Sequence, residues 1–349
     1  MLLGEAGTHR IEGWHQGMVQ AVSSRPDHSL RMGVIGVGVM GSNHARVLSG
    51  LPDVRLVAVV DPDIAHRDFV TRALDCRGLD DLESLIAAGV DAVTIAAPTH
   101  LHHDLALACI NRGIHVLVEK PIASSVEEGH SIIRAANRAG VTLMVGHVER
   151  FNPAVRAIKE AVRGEDILSI AITRVGPFPP RMSNVGVVID LAVHDIDLIR
   201  WFTESEIVEV QPQLSSAVAE REDIALLQFR TASGVLAHIN TNWLTPFKAR
   251  TIHVATRKKY IIGDLLTRQV TECFGFQGDG SYSMRHLSVG HDEPLRAELM
   301  AFVSAIRNGT RAPVTGEEAV ASLDIAIRCL QRQEMATVSP RKGPRRVAV

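Results

Sequence analysis

The chain has 349 residues, 46% of them apolar and 22% charged, with a formal net charge of −2. That length exceeds what one hydrophobic core normally serves, so two domains are expected. The near-neutral balance excludes the concentrated basic face of a nucleic-acid binder, and no apolar run reaches membrane-spanning length. Cys76, Cys109, Cys273 and Cys329 lie far apart with no C-x-x-C pair. That argues against a disulfide framework or a thiolate zinc site and fits a cytoplasmic protein.

Residues 1–29 carry Glu5, His9, Arg10, Glu12 and His15 and lack the apolar stretch of a secretory signal, so a flexible extension is expected there. From Leu30 to about Gly146, short β-rich runs alternate with helix-length segments. The strand candidates are Arg31–Ile35, Arg55–Val60, Ala92–Ala96, His115–Val118 and Thr142–Val145, with helices near 40–50, 64–74, 101–112 and 126–139. This alternation predicts βαβ crossovers, and the continuously apolar strands predict a parallel sheet covered on both faces. Residues 30–150 therefore read as a Rossmann domain, a doubly wound parallel sheet.

The texture then changes. A helical segment at Asp190–Phe202 precedes period-2 runs at Ile207–Leu214, Ile224–Thr231, Val235–Asn242, Arg250–Ala255 and Tyr260–Ile262. No helix-length segment separates these runs, which predicts an open, mostly antiparallel sheet. Helices near 294–307 and 317–335 close an α+β domain spanning 151–336, and a basic tail at 337–349 is expected to be flexible. Strands such as Ile224–Thr231 and Val235–Asn242 carry apolar residues on both faces, which predicts a homo-oligomer built on the outer face of this sheet.

Gly36-Val37-Gly38-Val39-Met40-Gly41 follows the first strand and opens a helix. The glycines permit a tight turn, close approach of a pyrophosphate and tight helix–sheet packing, with the helix N-terminus facing the phosphate charge. Asp61 ends the second strand, where a carboxylate accepts hydrogen bonds from an adenosine ribose and repels a 2′-phosphate. The expected cofactor is NAD rather than NADP, although Arg67 stands one helical turn further on.

Glu119-Lys120-Pro121 directly follows the fourth strand candidate, at the carboxyl end where open α/β sheets bind ligands. A lysine there can orient a hydroxyl and join proton transfer, whereas a lysine at random is a solvated surface group. Asp190 and His194 stand four residues apart and share one helical face, a spacing at which a carboxylate can fix an imidazole tautomer; Asp195 and Asp197 follow. For this motif a satisfied core histidine with capping aspartates is an equally good reading. His100, His102 and His103 form the densest histidine cluster, but adjacent helical histidines point apart, and no metal is expected. No G-x-S-x-G elbow is present.

Taken together, Gly36/Gly38/Gly41, Pro98-Thr99-His100-Leu101-His102, Glu119-Lys120-Pro121 and Asp190-x-x-x-His194 resemble the Gfo/Idh/MocA oxidoreductase family over roughly residues 31–336. The resemblance implies a Rossmann domain followed by an α/β domain with an open sheet, and a dimer or tetramer through that sheet. It implies acid–base roles for Lys120 and His194 and a substrate-holding role for Asp190. It also places Val39, Met40, Pro98, Thr99, His102 and Glu119 beside the cofactor, with His102 either near the nicotinamide or merely at a helix start.

A closer similarity lies in Gly146-His147-Val148-Glu149-Arg150-Phe151-Asn152-Pro153 and in Trp243-Leu244-Thr245-Pro246-x-Lys248-x-Arg250. Both stretches resemble the branch of that family that uses NAD to oxidise the C3 hydroxyl of UDP-N-acetylglucosamine. That branch supplies a partner aminotransferase on the way to the 2,3-diamino sugars of lipid A. The similarity implies substrate contacts from Glu149, Arg150, Phe151, Asn152, Trp243, Lys248 and Arg250, of which the cations suit a diphosphate. It departs from the family pattern at Ala192 and in the thinned glycines before Asp190, where Gly186 remains. The competing expectations are a dehydrogenase of a free sugar or cyclic polyol such as an inositol, and a non-catalytic NAD-binding regulator.

Overall fold

The computed structural model describes residues 29–179 and 185–336. The expected N-terminal extension, up to residue 28, and the basic tail lie outside the described residues.

The first domain runs β1 (Leu30–Ile35), α1 (Val39–Ser49), β2 (Val54–Val60), α2 (Ile64–Thr71), β3 (Arg77–Leu79), α3 (Leu82–Ala87), β4 (Ala92–Ile95), α4 (His102–Ile110), β5 (His115–Glu119), α5 (Val126–Ala139) and β6 (Leu143–Gly146). Its strands form one parallel sheet in the order β3-β2-β1-β4-β5-β6. The two halves wind outward from β1 and β4, so the carboxyl ends of these central strands open a crevice for a ligand. Register makes that edge: Ile35 pairs with Val60 and Ile95, and Glu119 with Gly146. The residues that follow, Gly36, Asp61, Ala96, Lys120 and His147, therefore emerge side by side. β4 is buried along its whole length, as a strand covered by helices on both faces must be. The covering helices are capped as their sequences predict. Ser125 accepts the Glu128 N–H at the start of α5, and Gly140 ends that helix at φ 66°.

Helix α6 (Pro153–Ala161) leads to the second domain. This comprises β7 (Ile167–Pro177), a π-helical turn (Val188–Ala192), α7 (Val193–Thr203), β8 (Ile207–Ser215), β9 (Ile224–Thr231), β10 (Leu236–Asn242), β11 (Leu244–Thr256), β12 (Lys259–Asp264), β13 (Gln269–Phe274) and β14 (Ser283–His286). The sheet order is β14-β13-β12-β11-β7-β10-β9-β8. It is antiparallel except where β7 and β10 run parallel. Sequence periodicity passes over β7, yet β7 is central. Its buried face runs Ile170, Ile172, Arg174, and an arginine in a core register breaks the apolar alternation.

Helices α8 (Pro294–Asn308) and α9 (Gly316–Ala336) return to the first domain. Leu295, Leu299, Phe302 and Val303 of α8 join the Rossmann core, as do Ala319, Val320 and Leu323 of α9. Further along α9, Ile325, Ala326 and Cys329 join the second core. The expected single division at residue 150 is thus corrected: α9 pins both cores together, and α8 belongs to the first.

Candidate active site

The glycine loop is built for close approach. Gly36 sits at φ 82°, and a Cβ there would lie 2.7 Å from the Ala97 nitrogen. A Cβ on Gly41 would lie 1.7 Å from the Gly36 carbonyl oxygen, so only glycine lets α1 approach β1. At the N-cap, Gly38 faces open space, with nothing within 4 Å of a Cβ there. Val39 and Met40 follow on the first, exposed turn of the helix. Asp61 braces the loop: one carboxylate oxygen accepts the Val37 N–H at 2.9 Å and the other the Asp63 N–H at 2.9 Å. Arg67 hydrogen-bonds the Asp61 main-chain oxygen and so stands at the adenosine end of the crevice. The open cradle, free helix N-terminus and buried carboxylate fit a dinucleotide diphosphate. Pro98 and Thr99 follow β4 along the same edge.

Lys120 begins the loop after β5 through a cis bond to Pro121. Its Nζ donates to the Asp190 carbonyl at 2.7 Å and to the Asp190 carboxylate at 3.1 Å. Asp190 lies on the π-helical turn, whose start is held by Glu222: the Glu222 carbonyl accepts the Val187 N–H and its carboxylate the Val188 N–H. His194 follows on α7. Its Nδ1 is enclosed without a hydrogen-bond partner, and its ring meets His147 edge-on at 5.9 Å. Burial, then the charges of Lys120 and Arg174, hold His194 well below the usual histidine range, so the imidazole is neutral. The expected Asp190–His194 contact is not made. The turn is wound as π rather than α, and Asp190 is claimed by Lys120.

Behind His194 lies a buried charge network. Arg174 grips Asp195 through Nη2 at 2.7 Å and donates to Glu149 at 2.8 Å. Glu149 also accepts Arg250 at 3.2 Å. Arg250 is part-exposed at the cleft, where its charge bears on His194 and the Asp190 carboxylate acts on it in turn.

Other expected site residues lie elsewhere. Arg150 is enclosed, its fork bidentate on Asp197 at 2.7 Å and its remaining nitrogen on Glu318 at 2.8 Å, which commits the guanidinium to the protein interior. Phe151 is core, and Asn152 is buried and caps α6 by accepting the Ala154 N–H. Trp243 is buried against Phe178. His102 starts α4 as a latch, its ring nitrogens against the carbonyls of Pro121 and Ala97. The Glu119 carboxylate turns inward to His44, so it serves the cofactor edge from behind. Lys248 is exposed on β11. Arg174 and Glu222 are site groups that motif reading passes over, and His147 stands inside a quoted motif without being assigned a role; Arg174 left a trace as the interruption of an otherwise apolar strand face.

A glycine-loop crevice with a lysine at its edge, joined to a carboxylate and a neutral histidine from a second domain, defines an NAD-dependent dehydrogenase. Comparison with known proteins agrees. Residues 30–147 match the oxidoreductase family with an NAD-binding Rossmann fold, and residues 166–262 match the GFO/IDH/MocA C-terminal domain. The chain is 31% identical over 237 residues to UDP-N-acetylglucosamine 3-dehydrogenase of Acidithiobacillus ferrooxidans, covering 68% of this chain and 74% of that protein. It is 28% identical to the NAD(+)-dependent scyllo-inositol 2-dehydrogenase of Bacillus subtilis, over 86% of this chain and 93% of that one. The solved Acidithiobacillus ferrooxidans enzyme superposes with a TM-score of 0.81 at 27% identity, over 86% of this chain and 96% of its own. This chain belongs to the GFO/IDH/MocA oxidoreductase family.

Proposed function

We propose that the protein oxidises the C3 hydroxyl of UDP-N-acetylglucosamine to the 3-keto sugar, with NAD as acceptor. The carrying observation is the convergence of Lys120, Asp190 and His194 beneath the part-exposed guanidinium of Arg250. Arg250 and the exposed Lys248 suit a substrate bearing a diphosphate. Likeness to an enzyme of that name, in sequence and in fold, supports the same substrate.

Bound NAD supplies the hydride acceptor. The chain does the rest: the glycine loop and Asp61 hold the dinucleotide, and Lys120 donates a hydrogen bond to the substrate hydroxyl in place of Asp190. Neutral His194 takes the hydroxyl proton as the C–H bond breaks. The product ketone is the class of compound an aminotransferase consumes.

A second reading is a cyclic-polyol dehydrogenase. It is favoured by the inositol dehydrogenases that match most of the chain, and Arg150, Phe151 and Asn152, being buried, do not discriminate between the two. Spectrophotometric NAD reduction over UDP-N-acetylglucosamine, free N-acetylglucosamine, myo-inositol and scyllo-inositol tests both. Turnover with UDP-N-acetylglucosamine alone is the expected result, and turnover confined to an inositol overturns the nucleotide-sugar reading.

A further inference from the structure

Behind Lys120 lies a carboxyl pair that neither the glycine loop nor the cleft accounts for. His44 of α1, Glu119 of β5 and Glu298 of α8 each bring a polar atom to within 4.8 Å of the others, and all three are buried. Glu119 is well supplied with donors: one oxygen meets His44 Nε2 at 2.9 Å, and the other accepts the Lys120 N–H at 3.2 Å. Glu298 has none. Both its oxygens are enclosed without a hydrogen bond, on the helix stripe formed by Leu295, Leu299 and Phe302.

Two carboxylates this close, both out of water, do not both stay ionised. The proton goes to the one whose anion is least supported. From α1 only His44 faces the cluster, and from β5 Glu119, with Lys120 beyond it. In the turn at 148–151, Glu149 is directed to Arg174 and Arg250, and Arg150 to Asp197 and Glu318. No cation among the described residues is hydrogen-bonded or ion-paired to Glu298.

We propose that Glu298 is a positioning residue for Lys120: an uncharged carboxyl packed beside Glu119 that leaves Glu119 the sole anion of the pair, and so sets the charge next to Lys120. Burial, then the Glu119 charge, holds Glu298 well above the ordinary carboxyl range. Burial pushes Glu119 the other way from its neighbours, but the His44 hydrogen bond and the charges of His44 and Lys120 win and hold it low.

The consequence has a definite sign. Folded protein keeps the Glu298 proton while unfolded chain releases it, so this residue's contribution to stability falls as pH rises from the ordinary carboxyl range toward the raised native value. Glu298→Gln has no proton to lose. The difference in unfolding midpoint between E298Q and wild type should therefore grow in favour of E298Q from about pH 5 to about pH 8. E298Q should retain turnover, because it leaves Glu119 the sole anion of the pair. The pH profile of kcat/KM should stay in place in E298Q and move toward lower pH in Glu119→Gln, which removes the anion beside Lys120. A protonated-carboxyl stretch in the infrared spectrum should disappear in E298Q.

A midpoint lowered equally at every pH in E298Q would overturn the proposal, because it would mean an ionised, engaged Glu298. So would stoichiometric divalent metal in the purified protein that is lost in E298Q. Should E298Q fail to fold, Glu298→Leu provides a second reading, since an uncharged and unpartnered carboxyl tolerates an apolar replacement. Failure of both variants to fold would also overturn the proposal.

Discussion

Lys120 and Asp190 meet across the two domains, the lysine Nζ 2.7 Å from the aspartate's main-chain oxygen and 3.1 Å from its carboxylate. One comes from the end of a Rossmann strand, the other from the turn that begins the second domain's first long helix. Neither domain alone holds the site. A substrate hydroxyl that takes the place of one of these hydrogen bonds is oriented by a group already fixed in position, which is where much of the advantage of such a site arises.

Removing either proton-handling group should therefore cost chemistry and not cofactor binding. Lys120→Ala or His194→Ala is expected to lower kcat by about two to four orders of magnitude, the usual worth of a positioned acid–base group. NAD affinity, measured by fluorescence titration, should stay near wild type, because neither side chain touches the glycine loop. Near-normal turnover in both variants would refute the assignment.

The neutral histidines set the acid limit. His194 and His147 are both held below the histidine value of 6.5, by burial first. The unfolded chain takes up protons at these positions while the folded protein refuses them. Stability is thus fully present above pH 6.5 and falls as pH drops toward the native values, by about 1.4 kcal/mol per pH unit for each histidine. Urea unfolding from pH 7 downward reads this slope directly, and His147→Phe should flatten it. Activity should persist below pH 6.5, since His194 remains unprotonated there.

Asp61 makes a prediction sharper than its motif alone allows. Its carboxylate both faces the adenosine end of the crevice and accepts the Val37 and Asp63 amides. Asp61→Asn keeps an acceptor for the loop but removes the charge that repels a 2′-phosphate, so it should narrow the preference for NAD over NADP with modest loss of NAD affinity. Asp61→Ala should lose affinity for both. Equal affinities of the wild type for the two cofactors would sink the electrostatic argument.

The outer face of the second sheet presents Leu226 on β9 and Leu236 on β10, each about half exposed at 49% and 50%. Leucines on an open sheet face suggest a second subunit covering it. Light scattering should report an oligomer, and Leu236→Asp should dissociate it. A wild-type monomer at micromolar concentration would refute this arrangement.

The Rossmann half was largely legible because each parallel strand is a continuous apolar run between turn residues, and the glycine loop needs no partner to be recognised. β3 escaped, since Arg77-Gly78-Leu79 is too short to have a period. β7 escaped because Arg174 occupies the core register that Ile170 and Ile172 announce. Asp190 and His194 stand at helical spacing, but that spacing cannot foresee a π turn or a lysine seventy residues upstream taking the carboxylate. A charged residue aimed at substrate and one locked in a domain seam look alike in sequence, because the locking partners are remote. Arg150 is the case in point.

That difference is measurable. Arg150 is tied to Asp197 and Glu318, Arg250 to Glu149 alone and part-exposed at the cleft. Truncating Arg150 takes the bidentate cation from Asp197, which is almost wholly enclosed and keeps, among the described residues, only the weaker hydrogen bond from the Ser322 hydroxyl at 3.3 Å. Loss of one partner from such a pair typically costs about 3–5 kcal/mol. Arg150→Ala should accordingly lower the unfolding midpoint steeply, while whatever protein remains folded keeps its KM. Arg250→Ala should do the reverse. Glu149 keeps Arg174, so the fold survives, but KM for a substrate bearing a diphosphate should rise while KM for a free sugar or polyol stays put. Urea unfolding and initial-rate kinetics on the two variants separate the roles. A raised KM in a stable Arg150→Ala protein would return that arginine to the substrate site.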